Sequence, residues 1–406
     1  MPEQTRRTHF DVAVVGGGPA GTSAALALAQ AGASVVVVER TRYEQARVGE
    51  TLPGACRALL ARLGVWERFL ALCPRRAPCV LSAWGGEDLS WQDALYDPHG
   101  EGWHVDRRAF DAMLAEQAQA SGVDVRRGTS VARVHAVDGE FQLVFSHARG
   151  SETLSARGLV DATGRAASVA TQLGATRRVH DALIGLVAFV PAPPAFFGAP
   201  NHGTPATEAT LVEAAADGWW YSAPLPDASF VVAFMTDADL LPRGRAELRS
   251  AWRAALARTQ HTLARLGTVP ECDLRVAPAR SSVLEPAGGP GWLAIGDAAL
   301  AMDPLSSGGV LEALRSGLGV ATVLTASASL DGAQHAAATS QRAARYLIRR
   351  AHYYGAERRW GSSPFWRRRG GVLPEVALSQ AKERSGRSTP NTAPPEEITI
   401  PSLAGL

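Results

Sequence analysis

A glycine-rich turn near the start of the chain has the spacing of a phosphate-binding loop. Residues 16–21 read Gly-Gly-Gly-Pro-Ala-Gly. In this pattern the first glycine allows a tight turn, the second lets a pyrophosphate approach the backbone, and the third lets a helix pack closely on a strand. A helix beginning at Pro19 would point its free N–H groups at the phosphates. Glu39 follows Gly21 by 18 residues and could accept hydrogen bonds from ribose hydroxyls, so the segment predicts dinucleotide binding.

Two later segments have the residue types that could contact the rest of such a ligand. Residues 160–165, Val-Asp-Ala-Thr-Gly-Arg, end a strand in a glycine turn. Residues 296–299, Gly-Asp-Ala-Ala, follow a buried strand and precede residues 303–309, Asp-Pro-Leu-Ser-Ser-Gly-Gly, at a helix start. Asp297 can bond a polyhydroxyl chain, and the positive end of a helix at Gly309 can stabilise negative charge on a reduced isoalloxazine ring. These properties suit a flavin.

The elements that must position these motifs follow from the hydrophobic pattern. Phe10–Val15 and Ser34–Val38 are apolar or β-branched runs on either side of helical spacing over Pro19–Ala31, which predicts a β-α-β unit. The returning strand Leu159–Thr163 is expected to join the same parallel sheet, and Gly309–Ala326 is expected to be helical. Residues 183–236 read mainly as strands.

Composition removes several classes of function. The chain has 406 residues, a net charge of +2 and four cysteines without a C-x-x-C pair, which argues against nucleic-acid binding and a disulfide scaffold and favours a reducing cytoplasm. No apolar run is long enough for a membrane span. The ten histidines show no ligand spacing, so no metal site is expected.

The three motifs, in this order and spacing, resemble those of the FAD-dependent monooxygenase, halogenase and geranylgeranyl-reductase superfamily over residues 10–330. The resemblance implies an α/β (α+β) fold, with a Rossmann-like FAD-binding domain of the glutathione-reductase/p-hydroxybenzoate-hydroxylase type, an inserted mainly-β substrate domain and a C-terminal helical region. The expected FAD-binding domain comprises 1–81, 104–180 and 272–330, the substrate domain 82–103 and 181–271, the helical region 331–383, and a flexible tail 384–406.

The same resemblance implies FAD as the cofactor and O2 as co-substrate. Since no second G-x-G-x-x-G is present, it also implies reduction by transiently bound NAD(P)H or by a separate flavin reductase. The expected cofactor-binding residues are Gly16, Gly18, Pro19, Ala20, Gly21, Glu39, Arg40, Arg47, Glu50, Arg107, Asp161, Gly164, Gly296, Asp297, Pro304, Gly308 and Gly309. For each arginine in this set, considered by itself, the alternative to cofactor binding is a salt bridge at the protein surface.

A narrower resemblance is to the GoxB and LodB type of flavoprotein, which matures quinone-cofactor amine oxidases. The segments that carry it are Arg47–Pro53, Ser82–Gly85, Asp97–Arg107, Asp217–Leu225, Met235–Asp239 and Phe365–Arg369. It implies a monooxygenase that hydroxylates an electron-rich aromatic group through a flavin C4a-hydroperoxide. The expected substrate is an indole, on a tryptophan of a partner protein or peptide.

Three residues are candidates for the reacting centre. Trp219 and Tyr221 could form aromatic walls around a planar substrate, and Asp303 could accept a proton from the ring that is hydroxylated. The alternatives are a core strand of large residues and a carboxylate that only caps the helix beginning at Gly309.

Other functions remain open from the sequence. They are a flavin-dependent halogenase, a small-molecule aromatic hydroxylase, a dehydrogenase or reductase of the geranylgeranyl-reductase type, and a binder that uses FAD structurally. The lysine that the resemblance reports for tryptophan halogenases falls at Arg76, and the only lysine in the chain is Lys382. Since a guanidinium is a poor substitute for an amine, oxygenation is predicted over halogenation.

The stretch Arg342–Arg369 contains nine arginines and six aromatic residues. It is expected to be a solvated helical face with its aromatic residues packed inward. The alternative is a surface that docks a partner or a single nucleic-acid strand.

Overall fold

The computed structural model describes residues 7–147, 150–193, 205–327 and 330–370. The helices, numbered in chain order, are α1 Pro19–Gln30, α2 Cys56–Arg62, α3 Trp66–Ala71, α4 Arg107–Ala120, α5 Pro205–Glu208, α6 Arg245–Leu256, α7 His261–Leu266, α8 Gly309–Ser327, α9 Gly332–Ala356 and α10 Pro364–Arg367. The strands are β1 His9–Val15, β2 Val35–Glu39, β3 Thr51–Leu52, β4 Arg75–Ala77, β5 Cys79–Ala83, β6 Ser90–Asp93, β7 Gly102–His104, β8 Asp124–Arg127, β9 Ser130–Val137, β10 Glu140–His147, β11 Gly150–Asp161, β12 Thr176–Val179, β13 Leu183–Pro191, β14 Thr210–Ala215, β15 Gly218–Pro224, β16 Ser229–Asp237, β17 Arg275–Pro278, β18 Ser282–Glu285, β19 Gly288–Gly289, β20 Trp292–Ala294 and β21 Leu300–Ala301.

The first sheet has a parallel centre in the order β20-β11-β1-β2-β8, with antiparallel additions β19, β10 and β9. Its strands are buried on both faces: Val12 and Val14 of β1 pack into one core, and Ala13 and Val15 into another. That two-sided burial explains the continuous apolar runs. Helix α1 packs so closely on α8 that a Cβ on Gly317 would overlap the backbone of α1. The predicted α/β fold with a Rossmann-like sheet is confirmed.

The second sheet has seven strands in the order β17-β13-β16-β15-β14-β5-β6, all antiparallel except the β14–β5 pair. On β15, Trp219 faces a core shared with the C-terminal helices, and Trp220 faces the opposite core under α6. Two sheets of three strands, β12-β18-β21 and β3-β7-β4, lie apart from the large sheets. The returning strand expected at Leu159–Thr163 begins earlier, at Gly150, as β11, because its first half pairs with β10 and its second half with β1 and β20.

Strand membership bears on the domain boundaries. The second sheet includes both β5 (Cys79–Ala83) and β17 (Arg275–Pro278). We therefore propose that the first segment of the substrate unit begins at about residue 79, before the expected limit at 82. Its second segment would end at about residue 278, after the expected limit at 271. The expected tail, 384–406, lies outside the described residues. Among the helices that the structure describes, none combines the length and apolarity needed to cross a membrane.

The arginine-rich C-terminal stretch packs inward through charges as well as through its aromatic residues. Arg369 donates to both carboxylate oxygens of Asp237, at 2.6 and 3.0 Å, and both side chains are about 2% exposed. Arg368 bonds Asp237 and Asp239. The expectation of a purely solvated charged face was therefore incomplete, because these arginines anchor α10 to the end of β16.

We expect the substitution Arg369→Met to lower the free energy of unfolding by about 3 kcal/mol, because it leaves the buried Asp237 carboxylate with Arg368 alone. Arg367→Met, at an exposed position on the same helix, is the matched control and should change stability by less than about 0.5 kcal/mol. Urea unfolding followed by tryptophan fluorescence measures both. Equal stabilities of the two variants would contradict this assignment.

Candidate active site

The glycine turn between β1 and α1 leaves an open cradle at the start of the helix. A Cβ on Gly16 would overlap the carbonyl oxygen of Ala162, and one on Gly21 would overlap that of Gly16. A Cβ on Gly18 would meet no atom within 4 Å. Gly18 is the N-cap of α1, without a side-chain capping bond. Open space in front of the free N–H groups of a helix fits a pyrophosphate.

Pro19 and Ala20 form the first turn of α1, and both are buried. A Cβ on Gly296 would lie 2.9 Å from that of Ala20, so this glycine lets the loop after β20 approach α1. The Gly296 N–H donates to the Ser316 hydroxyl of α8 at 3.0 Å. These contacts join the start of α1, the loop after β20 and the middle of α8.

Glu39, at the end of β2, is buried beside the cradle. Its Oε2 accepts from the Gly17 N–H at 2.7 Å, and its Oε1 accepts from the Thr41 N–H and hydroxyl and, at 3.4 Å, from Arg47. A carboxylate oxygen has two acceptor sites, so Oε2 keeps one for a ribose hydroxyl. Arg40, the next residue, is exposed.

Arg47 and Arg107 are held in one buried ion-pair network. Asp111, on α4, accepts from Arg47 at 3.1 Å and from two nitrogens of Arg107 at 3.0 and 3.1 Å. Arg107 also donates to the carbonyl oxygens of Val48 and Gly49. Neither arginine forms an exposed surface salt bridge. The network fixes the segment 47–50 against α4, and Asp111 is a central residue that the sequence analysis did not name.

Asp161 and Asp297 differ in their environments. Both oxygens of Asp161 are occupied within its own loop, by Thr163 and by the N–H groups of Val169 and Ala170. That carboxylate holds the turn at Gly164, where a Cβ would meet open space.

Asp297 is more accessible than Asp161. Its side chain is about a third exposed, and it pairs with Arg165 at 3.2 Å. Burial raises the pKa of this carboxyl, and Arg165, Arg177 and Arg107 oppose the shift. A partly solvated carboxylate is suited to accept hydrogen bonds from a ligand hydroxyl.

The loop before α8 presents a second open helix start. Pro304 begins a 3₁₀ turn over Pro304–Ser306, and Ser307 has a φ of +47°. The carbonyl of Gly308 accepts the first helical bond from Glu312, and a Cβ on Gly309 would meet no atom within 4 Å. The N-terminus of α8 is thus free of side-chain obstruction on that side.

Asp303 is buried in a network that reaches the C-terminal helix. Its Oδ2 accepts from the Tyr354 hydroxyl at 2.8 Å and from Arg350 at 3.3 Å, and its Oδ1 accepts from the Leu305 N–H. Burial and the charge of Asp303 raise the pKa of Tyr354. The carboxylate caps the 3₁₀ turn and not α8, so the expected alternative role as a cap of that helix is corrected.

Trp219 joins this network and does not line open space. It is 1% exposed, and its indole N–H donates to the Tyr354 hydroxyl at 3.0 Å. Trp84 and Tyr354 pack on it and on each other. The structure thus favours the core-strand alternative for Trp219, and it brings Trp219 and Asp303 together only through Tyr354.

Tyr221 belongs to a different cluster. Its hydroxyl lies 2.7 Å from the Thr51 hydroxyl, and burial and the charge of Glu50 raise the pKa of Tyr221. Glu50 is 3% exposed, and its Oε2 has no hydrogen-bond partner among the described residues. Thr51 also contacts Nδ1 of His104 at 3.0 Å. Burial raises the pKa of the Glu50 carboxyl.

The direction of the hydrogen bonds in this cluster follows from His104. Burial lowers the pKa of His104 to about 3, so the ring is neutral, and its Nε2 must donate to the Glu208 carbonyl at 3.1 Å. Nδ1 is then an acceptor from Thr51, which accepts from Tyr221 in turn. The single Tyr221 proton is thereby used. With its proton donated to Thr51, the Tyr221 hydroxyl can only accept from any further partner.

A cavity lies beside this cluster. Its lining includes Thr51 and Ser307 together with Gln92, Asp93 and Asp97. Glu50 precedes a lining residue directly, whereas Trp219 and Asp303 do not line this cavity.

The residues that the sequence analysis missed share one property. Asp111, His104, Arg350 and Tyr354 act through partners that are distant in the sequence. Asp111 and His104 lie in or beside the quoted segment Asp97–Arg107, and Tyr354 lies in the arginine-rich stretch. A search for acidic partners of that stretch could have found Asp303.

We expect Gly18→Val to fold normally and to weaken FAD binding at least about 100-fold, because its side chain enters open space in the cradle. Gly21→Val should instead lower stability, because its Cβ overlaps backbone. Gly355→Val, at another position without neighbours within 4 Å, controls for substitution itself. Flavin fluorescence quenching and thermal unfolding of the apoproteins give the two readouts. Unchanged FAD affinity in Gly18→Val would contradict the cradle.

The buried neutral His104 makes stability depend on pH. Its pKa in the folded protein, about 3, lies below the value of roughly 6.5 expected in the unfolded chain, so the unfolded state binds more protons between these values. Stability is therefore lost as pH falls below 6.5. Between pH 8 and pH 5 the free energy of unfolding should fall by about 2 kcal/mol more in the wild type than in His104→Gln. Parallel pH profiles of the two proteins would refute this.

Comparison with known proteins shows which family the chain belongs to. A family model described as FAD binding domain matches residues 9–350. The FAD-dependent oxidoreductase LodB of Marinomonas mediterranea is 28% identical over 372 residues, covering 89% of this chain and 96% of that protein. A tryptophan 2-halogenase of Chondromyces crocatus is 30% identical over 329 residues, or 78% of this chain and 60% of the halogenase.

Solved structures agree with the fold. The flavin-dependent halogenase CmlS has a TM-score of 0.79 at 24% identity, covering 94% of this chain and 71% of that one. QhpG, a peptidyl tryptophan dihydroxylase essential for tryptophylquinone cofactor biogenesis, has a TM-score of 0.70 at 26% identity, covering 89% of this chain and 79% of that one. With a family match over most of its length and two open helix starts that fit a dinucleotide, the chain belongs to the FAD binding domain family and is an FAD-dependent oxidoreductase.

Proposed function

We propose that this protein is a monooxygenase that hydroxylates the indole of a tryptophan on a partner protein or peptide, during maturation of a quinone cofactor or a peptide-derived product. The similarity to LodB over nearly the whole chain and to QhpG supports this proposal. Bound FAD, reduced by NAD(P)H or by a separate reductase, would supply two electrons to O2, one atom of which enters the ring while the other leaves as water.

One observation favours oxygenation over halogenation. Arg76, at the position of the halogenase lysine, is 72% exposed and pairs with Glu101 at 2.7 Å on the surface. Its guanidinium is thus paired with a carboxylate, and it is a poor substitute for the amine of a lysine. The only lysine in the sequence, Lys382, lies outside the described residues. The similarity to a tryptophan 2-halogenase keeps halogenation as the second candidate, and the product distinguishes the two.

Several residues of this chain would hold FAD or position the residues around it. The cradle at Gly18 and the carboxylate of Glu39 would hold the ADP half of FAD, and the start of α8 at Gly309 would face the ring. Asp297 would accept hydrogen bonds from the ribityl hydroxyls. Arg47 and Arg107 would act at a distance, by holding the segment 47–50 in place.

The proton at the reacting centre is best assigned to Glu50. Both oxygens of Asp303 are occupied by protein donors, and Arg350 neutralises its charge. Glu50 has one oxygen without a partner, and it precedes a residue that lines the cavity. Because burial raises its pKa, a carboxyl group there could hold a proton and pass it to a group that forms in the cavity. We therefore assign proton transfer to Glu50 and positioning to Asp303.

The product of the purified holoprotein tests the proposed reaction. With FAD, a flavin reductase, NADH and ¹⁸O2, a tryptophan-containing peptide should become heavier by the mass of one or more ¹⁸O atoms in mass spectrometry. Chloride or bromide in the buffer should not change this result. An enzyme-dependent chlorine or bromine isotope pattern would overturn oxygenation and establish the second candidate.

Substitution separates the roles of the two carboxyl groups. Glu50→Gln should lower the oxygenation rate by about 10²–10⁴ and leave FAD affinity and stability near those of the wild type, because the amide has the same shape. Asp303→Asn should lower the free energy of unfolding by about 3 kcal/mol, because buried Arg350 loses part of its countercharge. Full turnover of Glu50→Gln across the pH range would remove Glu50 from the reaction.

A further inference from the structure

The segment 86–101 places large apolar side chains in solvent. Of ten exposed large hydrophobic residues in the described part of the chain, four lie between 89 and 96. Leu95 is 82% and Tyr96 is 86% exposed, and Trp91 and Leu89 are about half exposed. Soluble proteins rarely expose so many large apolar side chains close together, so such a patch indicates a binding site. We name residues 86–101 the apolar edge.

The apolar edge includes an outermost strand. β6, Ser90–Asp93, is the last strand of the second sheet and pairs with β5 in antiparallel register, from Cys79 opposite Asp93 to Ser82 opposite Ser90. The backbone groups on the other side of such a strand point away from the sheet. They can pair with an extended polypeptide, which would become an eighth strand.

The charge of the apolar edge favours one kind of partner. Residues 86–101 contain five acidic residues, Glu87, Asp88, Asp93, Asp97 and Glu101, and neither lysine nor arginine. Arg76 compensates Glu101. Acidic surface around apolar side chains attracts a segment that combines apolar and basic residues, and repels an acidic one.

The apolar edge is continuous with the candidate active site. Gln92 and Asp93 of β6, together with Asp97, line the same cavity as Thr51 and Ser307. A polypeptide paired with β6 would therefore lie next to this cavity. One of its side chains could reach toward Thr51, the residue that follows Glu50.

We propose that the apolar edge binds a basic, extended segment of a partner polypeptide, as an added strand on β6, and presents an aromatic side chain of that segment to the cavity. This inference rests on the proposed function, because it names the surface on which the polypeptide substrate docks. Leu95 and Tyr96 cover the apolar side chains of the segment, and the acidic residues set its charge.

The test uses the FAD-loaded full-length protein and a defined probe. The probe is a fluorescent 12-residue peptide in which valine alternates with lysine or arginine around one central tryptophan. One reference peptide has glutamate at the basic positions, and another has N-methyl groups on the backbone nitrogens that would pair with β6. Fluorescence anisotropy should show at least about tenfold weaker binding of both reference peptides.

Two double variants locate the binding surface. Leu95→Ser with Tyr96→Ser should weaken probe binding at least about tenfold, because exposed aromatic and aliphatic anchors contribute most to such contacts. Val179→Ser with Val276→Ser removes two apolar side chains that are exposed elsewhere, at 46% and 57%, and should leave binding unchanged. Equal binding of the probe to both variants, or equal binding of all three peptides, would overturn the proposal. The proposal would also be overturned if the wild type does not bind the probe but forms a dimer that the Leu95/Tyr96 double substitution dissociates.

A separate readout distinguishes this inference from the proposed function. Incorporation of ¹⁸O into the probe is measured by mass spectrometry on the same samples. Binding at the apolar edge without oxygen incorporation supports the docking surface and contradicts the proposed reaction. Oxygenation of free tryptophan at equal rates by the wild type and the Leu95/Tyr96 variant, without probe binding, overturns the docking surface and leaves the reaction supported.

Discussion

The buried carboxylate of Asp303 is the interaction on which three parts of the molecule depend. It sits on the loop before α8, beside the start of the helix expected to face the flavin. Tyr354 and Arg350 of α9 donate to it, and Tyr354 also accepts from Trp219 of the second sheet. Arg350 extends the network to Asp181, at 2.8 Å. A buried charge with this many donors is costly to disrupt, so the loop, the sheet and the C-terminal helix are constrained together.

A second constraint is the close approach of α1 and α8. Gly317 of α8 meets the backbone of α1 at Ala20, and Gly296, in the loop after β20, meets the Ala20 side chain. The Gly296 N–H donates to the Ser316 hydroxyl of α8, so this loop contacts both helices. Larger side chains at Gly296 and Gly317 would push these elements apart. The same glycines are therefore needed for the packing of the helices and for the shape of the expected cofactor site.

The parts of the structure that could be predicted from the sequence are those with local causes. The turn at residues 16–21 needs its glycines for steric reasons internal to a β-α-β unit, and the fold class and the FAD family followed from it and are confirmed. Trp219 and Tyr221 were predicted to form aromatic walls around one planar substrate. Their partners, Tyr354 and Glu50, lie 135 and 171 residues away in the sequence, and those partners decide that one residue is in a core and the other beside a cavity. Similarly, the segments 235–239 and 365–369 were recognised separately, and only the fold pairs Arg369 with Asp237.

The hydrogen bonds around Thr51 illustrate how a distant group can determine the direction of a chain of donors. The Glu208 carbonyl can only accept, so neutral His104 must donate to it, and this choice propagates through Thr51 to Tyr221. If His104 were charged, both of its nitrogens would donate, and Thr51 could donate to Tyr221. Burial excludes that state by lowering the pKa of His104 to about 3. Because a backbone carbonyl does not titrate, Tyr221 keeps donating to Thr51 over the whole pH range in which His104 is neutral.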